Sequence, residues 1–180
     1  MVNGLGGQSG MVAELLVIVV LPGLLALAAG WDLASYTIPN GLQLALIAAF
    51  VVFVLATGMT PPMAGGHLLA GFLGVSVGFT LFALGYIGGG DAKLFAAVAL
   101  WLGLDRDLMS YMLIASLLGG ALTLTLMALR CVPLPALLTG KPWLLRLHDA
   151  RAGIPYGVAL AAAAFLILPQ TEIFRLAAGG

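Results

Sequence analysis

Six nearly unbroken apolar stretches, at about 12–31, 40–57, 64–87, 91–104, 108–129 and 154–169, decide what this chain can become. A helix crosses a bilayer with about 20 apolar residues, since each rises about 1.5 Å through a core roughly 30 Å thick. No water reaches lipid-facing backbone there, so each stretch must satisfy its own N–H and C=O groups as a helix. A soluble all-helical domain with a greasy core is excluded by a shortage of charge. Of 180 residues, 62% are hydrophobic and 8% charged, where about a quarter charged is usual for a soluble domain. The expected fold is an all-α integral membrane protein: six transmembrane helices in one polytopic domain over 1–180.

The segments differ in ways that matter. Residues 1–10 hold no Lys or Arg, so the basic start of a cleaved signal peptide is missing and the run from Met11 is expected to remain as the first span. Thr37 and Pro39 resemble a helix start for the second. The third carries Gly65, Gly66, Gly71, Gly74 and Gly78, spacings that permit close helix packing. The fourth is short, about 21 Å against roughly 30 Å of hydrocarbon, which predicts that the glycine turn before it dips into the membrane. The 130–153 loop holds Arg130, Lys141, Arg146 and Arg151. This basic excess places it in the cytoplasm and both termini outside. Its stretch from Lys141 to Arg151 reads equally as a short amphipathic helix on the inner leaflet or as a plain basic loop. The tail to Gly180 is expected to be interfacial.

Net charge is zero, so nothing points to nucleic acid. One cysteine, Cys131, precludes an internal disulfide, and His67 and His148 are too far apart for a zinc pattern. No metal or cofactor is expected. His67 is read as a loop or interface residue, and His148 as one at headgroup level.

Against this background Gly88-Gly89-Gly90-Asp91-Ala92-Lys93 stands out. An ionisable group within a membrane span is costly and usually functional. A second carboxylate, Asp32, closes the first apolar run. Six spans bring the end of the first and the start of the fourth to the same side. Two carboxylates sharing a water form an acid/base pair: one stays protonated and donates while the other accepts. The glycines remove side chains where a substrate backbone would approach. Lys93, two residues on, should point away from Asp91, toward the interface, substrate or lipid. Taken singly, either aspartate could be a helix cap, Asp91 as an N-cap. Glu14, Asp105, Asp107 and Asp149 are read as interface, turn and loop residues.

These residues resemble the type IV prepilin peptidases, aspartic membrane proteases of the A24 class. Gly88-Gly-Gly-Asp91-Ala-Lys93 is similar to the family's G-x-G-D-x-K signature. Asp32, six residues ahead of Ile38-Pro39-Asn40, resembles its first-aspartate motif, and Ile154-Pro-Tyr-Gly157 its late I-P-[FY]-G segment. The resemblance implies a GxGD-type protease that cuts basic leaders from prepilins at the cytoplasmic face of the inner membrane. It implies Asp32 and Asp91 as the catalytic pair, with Gly88, Gly89, Gly90, Lys93, Pro39 and Asn40 as the substrate-binding surroundings. Longer members carry a cysteine-rich methyltransferase domain between the first two spans. Here residues 35–40 alone separate them, as in the short CpaA/TadV-like form of Flp pilus systems. Leu33-Ala-Ser-Tyr-Thr37 stands where relatives often have basic residues.

The implied partners are a membrane-anchored prepilin and the bilayer, with monomer or homodimer left open. Two other readings compete: a small proton- or cation-coupled transporter using the same aspartates, and an inactive assembly subunit.

Overall fold

The computed structural model describes residues 3–135 and 140–178. Residues 136–139 of the basic loop, 179–180 of the tail and 1–2 lie outside the described part. Every regular element is helical: α1 (Asn3–Leu15), a π-turn (Leu16–Val20), α2 (Leu21–Ser35), α3 (Asn40–Thr57), α4 (Pro61–Ala83), α5 (Gly89–Leu102), α6 (Arg106–Arg130), α7 (Pro142–His148), α8 (Tyr156–Ile167), a 3-10 turn (Leu168–Gln170) and α9 (Glu172–Ala177). No strand occurs among the described residues.

Among the described residues, four helices are long and apolar enough to cross a membrane: Gln8–Ser35, Asn40–Thr57, Pro61–Ala83 and Arg106–Arg130. The first is continuous through α1, the π-turn and α2. Pro22 lacks an N–H and its ring crowds the preceding turn. The wider π-turn just ahead of it absorbs that mismatch without ending the helix. The other two expected spans are short: α5 has 14 residues, and α8 runs into the 3-10 turn over Tyr156–Gln170. The amphipathic expectation in the basic loop corresponds to α7, seven residues long with Trp143 and Leu145 exposed.

Exposure separates α5 from the rest. The long helices turn large apolar side chains outward, among them Leu44, Val51 and Leu55 of α3, Leu69 and Leu73 of α4, and Leu113, Leu117 and Leu124 of α6. On α5, Ala92, Leu94 and every residue from Ala96 to Leu102 are buried. Small residues let it approach α4 backbone to backbone. A Cβ on Gly74 would lie 2.9 Å from Ala96 Cα and Ala99 Cβ, and one on Gly78 would lie 2.8 Å from the Ala92 carbonyl oxygen. Such close packing supplies dispersion contacts, which drive helix association in lipid.

The C-terminal end of α5 is fixed by polar contacts. Trp101 donates from Nε1 to the Leu46 carbonyl at 3.0 Å, and its ring meets Phe50 and Phe53, each 5.5 Å away. His67, expected at a loop or interface, is instead 6% exposed on α4. Its Nδ1 lies 2.9 Å from the Leu100 carbonyl. That oxygen belongs to the last turn, where carbonyls lack helical partners, so the imidazole carries its proton on Nδ1 and donates. A buried polar group without such a partner would be costly, which is why this histidine sits inside.

Gly78→Ala should therefore push α4 off α5 and destabilise the protein by about 1–3 kcal/mol. Gly66→Ala, whose added methyl meets nothing within 4 Å, should be neutral or slightly stabilising. Thermal unfolding of the two variants in detergent measures the difference.

Candidate active site

One end of the bundle gathers the C-terminus of α2, the N-termini of α3, α5 and α8, the C-terminus of α6, and α7. Asp32 lies in the last turn of α2 and is 3% exposed; Asp91 lies in the first turn of α5 and is 5% exposed. They are 59 positions apart in sequence, and Ile38 joins their surroundings, packing on both Gly90, next to Asp91, and Gly157, which binds Asp32.

Each acid is held by a backbone amide at a helix start. Gly157, in the first turn of α8, donates to Asp32 Oδ2 at 2.7 Å. Gly88 donates to Asp91 Oδ2 at 3.2 Å. Free N–H groups and the positive end of the helix dipole favour negative charge at both places. Asp91 Oδ1 is buried and has no hydrogen-bond partner among the described residues.

These contacts move the capping alternative for Asp91 from the N-cap to the N3 place of a capping box, where its carboxylate accepts the Gly88 N–H, and overturn it for Asp32. The N-cap of α5 is Gly88, and Asp91 stands three residues later, inside the helix. Gly89 and Gly90 are already helical, so the triplet is a helix start more than a loop. Asp32 does not close its own helix with its side chain. The α2 terminus is completed by Tyr36, whose N–H donates to the Asp32 carbonyl at 2.8 Å with φ +56°. It is the one non-glycine with positive φ among the described residues.

The glycines and the Ile38-Pro39-Asn40 turn form one fitted unit. Ile38 is buried between the starts of α5 and α8. A Cβ on Gly90 would lie 3.2 Å from Ile38 N; one on Gly157 would lie 2.8 Å from Asp32 Oδ2 and 2.9 Å from Ile38 Cδ1. Pro39, and not Thr37, is the N-cap of α3, and its carbonyl accepts from Leu42 N–H at 3.0 Å. Thr37 lies two residues too early and pairs with Ser35, 2.8 Å away. Lys93 is exposed on the far side of α5 from Asp91, as expected from their spacing, and its Nζ donates to Asn40 Oδ1 at 2.8 Å.

The basic loop braces this end. Arg130 donates from Nε to the Leu147 carbonyl and from Nη2 to the Gly153 carbonyl, both at 2.9 Å. Arg146 donates to the Ala34 carbonyl at 3.2 Å. These bonds tie the approach to Gly157 to α6 and α2. Among the described residues, no three His, Cys, Asp or Glu side chains form a group suited to a metal ion.

Sequence reasoning left Gly157 without a role beyond its motif, and passed over Gln43 and the bracing by Arg130. Gln43 was the most visible of the three, as the one amide side chain in α3 beyond its first residue, Asn40.

The fold and site define a helical membrane protein with two buried, amide-held carboxylates at one end. Its residues 19–124 match the model of the type IV leader peptidase family. That stretch contains both aspartates, the Ile38-Pro39-Asn40 turn and Gly88 to Lys93, and stops short of Gly157. The chain is 32% identical over 139 residues to the prepilin leader peptidase/N-methyltransferase of Bacillus subtilis (strain 168). The match covers 72% of this chain and 54% of that protein, so the chain spans about half the length of this curated relative. No solved structure matches significantly. The chain belongs to the type IV leader peptidase family.

Arg130→Leu should loosen the segment leading to Gly157 while leaving α5 in place. Amide hydrogen exchange over 153–157 should speed by about tenfold or more, and the same measurement on Arg151→Leu, whose side chain is exposed, should show no change.

Proposed function

We propose that this protein is a membrane aspartic endopeptidase that cleaves the basic leader from a membrane-anchored prepilin, with Asp32 and Asp91 as the catalytic pair. The observation that carries the reading is two buried carboxylates on either side of Ile38, at the starts of α8 and α5, with Asp91 Oδ1 unpartnered. A residue serving only as a cap has no need of a buried free oxygen, whose burial alone costs about 1–3 kcal/mol.

One aspartate takes a proton from water as the oxygen attacks the scissile carbonyl carbon. The other, protonated, donates to the carbonyl oxygen. The tetrahedral species then collapses, the C–N bond breaks and the amine leaves with a proton from the pair. Because like charges cannot easily share a dry site, the two acids divide these roles. The amide of Gly157 fixes the Asp32 oxygen, and Gly88, the exposed member of the triplet, presents bare backbone to the substrate while Gly89 and Gly90 seat Phe82 and Ile38. Lys93, Asn40 and Pro39 border that approach.

The chain works on this reading as one polytopic unit of six crossings, with α5 and α8 as short spans and the glycine start of α5 below the membrane surface. The basic loop and both aspartates face the cytoplasm of a bacterial inner membrane. The short connection between α2 and α3 favours the peptidase-only, Flp-type form. Family membership favours this reading over the transporter or the inactive subunit.

Wild-type protein in detergent or lipid should cut a short prepilin after the glycine that ends its basic leader, as read by gel shift and N-terminal sequencing. Asp32→Asn and Asp91→Asn should each lower the rate by about a thousandfold or more while remaining folded. Gly157→Ala, which displaces the Asp32 carboxylate, should cost about ten- to hundredfold. Undiminished cleavage by Asp91→Asn would overturn the assignment.

A further inference from the structure

Gln43 lies one turn into α3 and is 6% exposed, an unusual place for an amide. Its Nε2 donates to the Gly90 carbonyl at 3.5 Å, which fixes the amide orientation because a carbonyl can only accept. Its Oε1 is buried and has no partner among the described residues. Buried polar atoms are nearly always paired, and an unpaired one calls for an explanation.

The side chain lines a groove of about 590 Å³ between α3, α4 and α5. Leu44, Ile47, Leu68 and Phe72 form apolar walls, and Gly71 and Ala97 keep the floor low. The Lys93–Asn40 hydrogen bond closes one end. Gln43 is thus the polar point in an apolar groove, bonded to the residue next to Asp91.

We infer that Gln43 binds substrate: its Oε1 accepts a backbone N–H beside the scissile bond, with the substrate's following apolar segment seated in the groove. This rests on the peptidase reading. A membrane-anchored chain must unwind to present its peptide bond, and unwinding frees N–H groups that lipid cannot satisfy. An acceptor held against the Gly90 carbonyl, at the helix start that carries Asp91, meets that need for a substrate that wraps around this end of α5. A lipid acyl chain would fill the groove and leave Oε1 unmet.

The test compares wild type, Gln43→Leu and Gln43→Met on a prepilin with a basic leader. The substrate is also made in versions that each replace one backbone N–H by an ester oxygen, across the four residues after the cleaved bond. Both variants should lose about ten- to hundredfold in kcat/KM, while their melting temperatures hold or rise because an unmet acceptor is gone. One ester position should cost the wild type a similar factor and cost Gln43→Leu nothing further. Wild-type activity in both variants, esters that impair all enzymes alike, or activity lost together with melting temperature in both variants would overturn the inference. If wild type cuts no substrate, the peptidase reading fails first and this one falls with it.

Discussion

The contact between α4 and α5 is the constraint on which the catalytic end depends. In lipid the hydrophobic effect does not drive helix to helix, so association rests on packing and polar bonds. Here α4 supplies glycines at Gly71, Gly74 and Gly78, and α5 answers with alanines and its own backbone. That contact, with Trp101 and His67 at the far end, leaves α5 little freedom to slide or tilt. The position of Asp91 follows, because it lies in the first turn of a helix that cannot move without opening this seam.

The acid pair is then assembled from helix ends, not from a loop. Asp32 arrives at the end of α2, Asp91 at the start of α5, and the start of α8 brings the Gly157 amide to Asp32. Ile38 fills the gap between the two helix starts and needs glycine on both sides to do so. The Ile38-Pro39-Asn40 turn therefore works as a spacer, setting how near α5 and α8 approach each other. Arg130 and Arg146 extend the same logic into the basic loop, converting positive charge into bonds with backbone carbonyls.

Much of this was legible in the sequence. Apolar runs gave the helices within a few residues, and parity put Asp32, Asp91 and the basic loop at one end. Less could be read about which faces touch. In a soluble helix, polar residues mark the outside; here lipid-facing Leu69 and core-facing Ala70 are both apolar, so periodicity is silent. Only the glycine spacing on α4 carried a packing signal. The same silence hid that α5 is enclosed by protein. The π-turn was missed because the apolar run passes straight through Pro22 and carries no mark of the widened turn ahead of it. His67 was misplaced because a histidine in an apolar run looks costly until the carbonyl that accepts its proton is in view. The Gly157 amide could not be read at all, since a backbone donor has no side chain to announce it.

The two faces of α4 obey different rules. Within one turn, Leu73 looks outward and Gly74 meets α5, so neighbouring codons answer to unrelated demands. Outward positions need only remain greasy, and drift there changes little beyond the lipid they touch. At the inward glycines a single methyl would shift the depth of an acid as near as the next residue and as far as two to three turns along α5. The helix therefore combines wide mutational tolerance with a few positions that admit no side chain, and a homologue could diverge along most of its length while keeping the same seam.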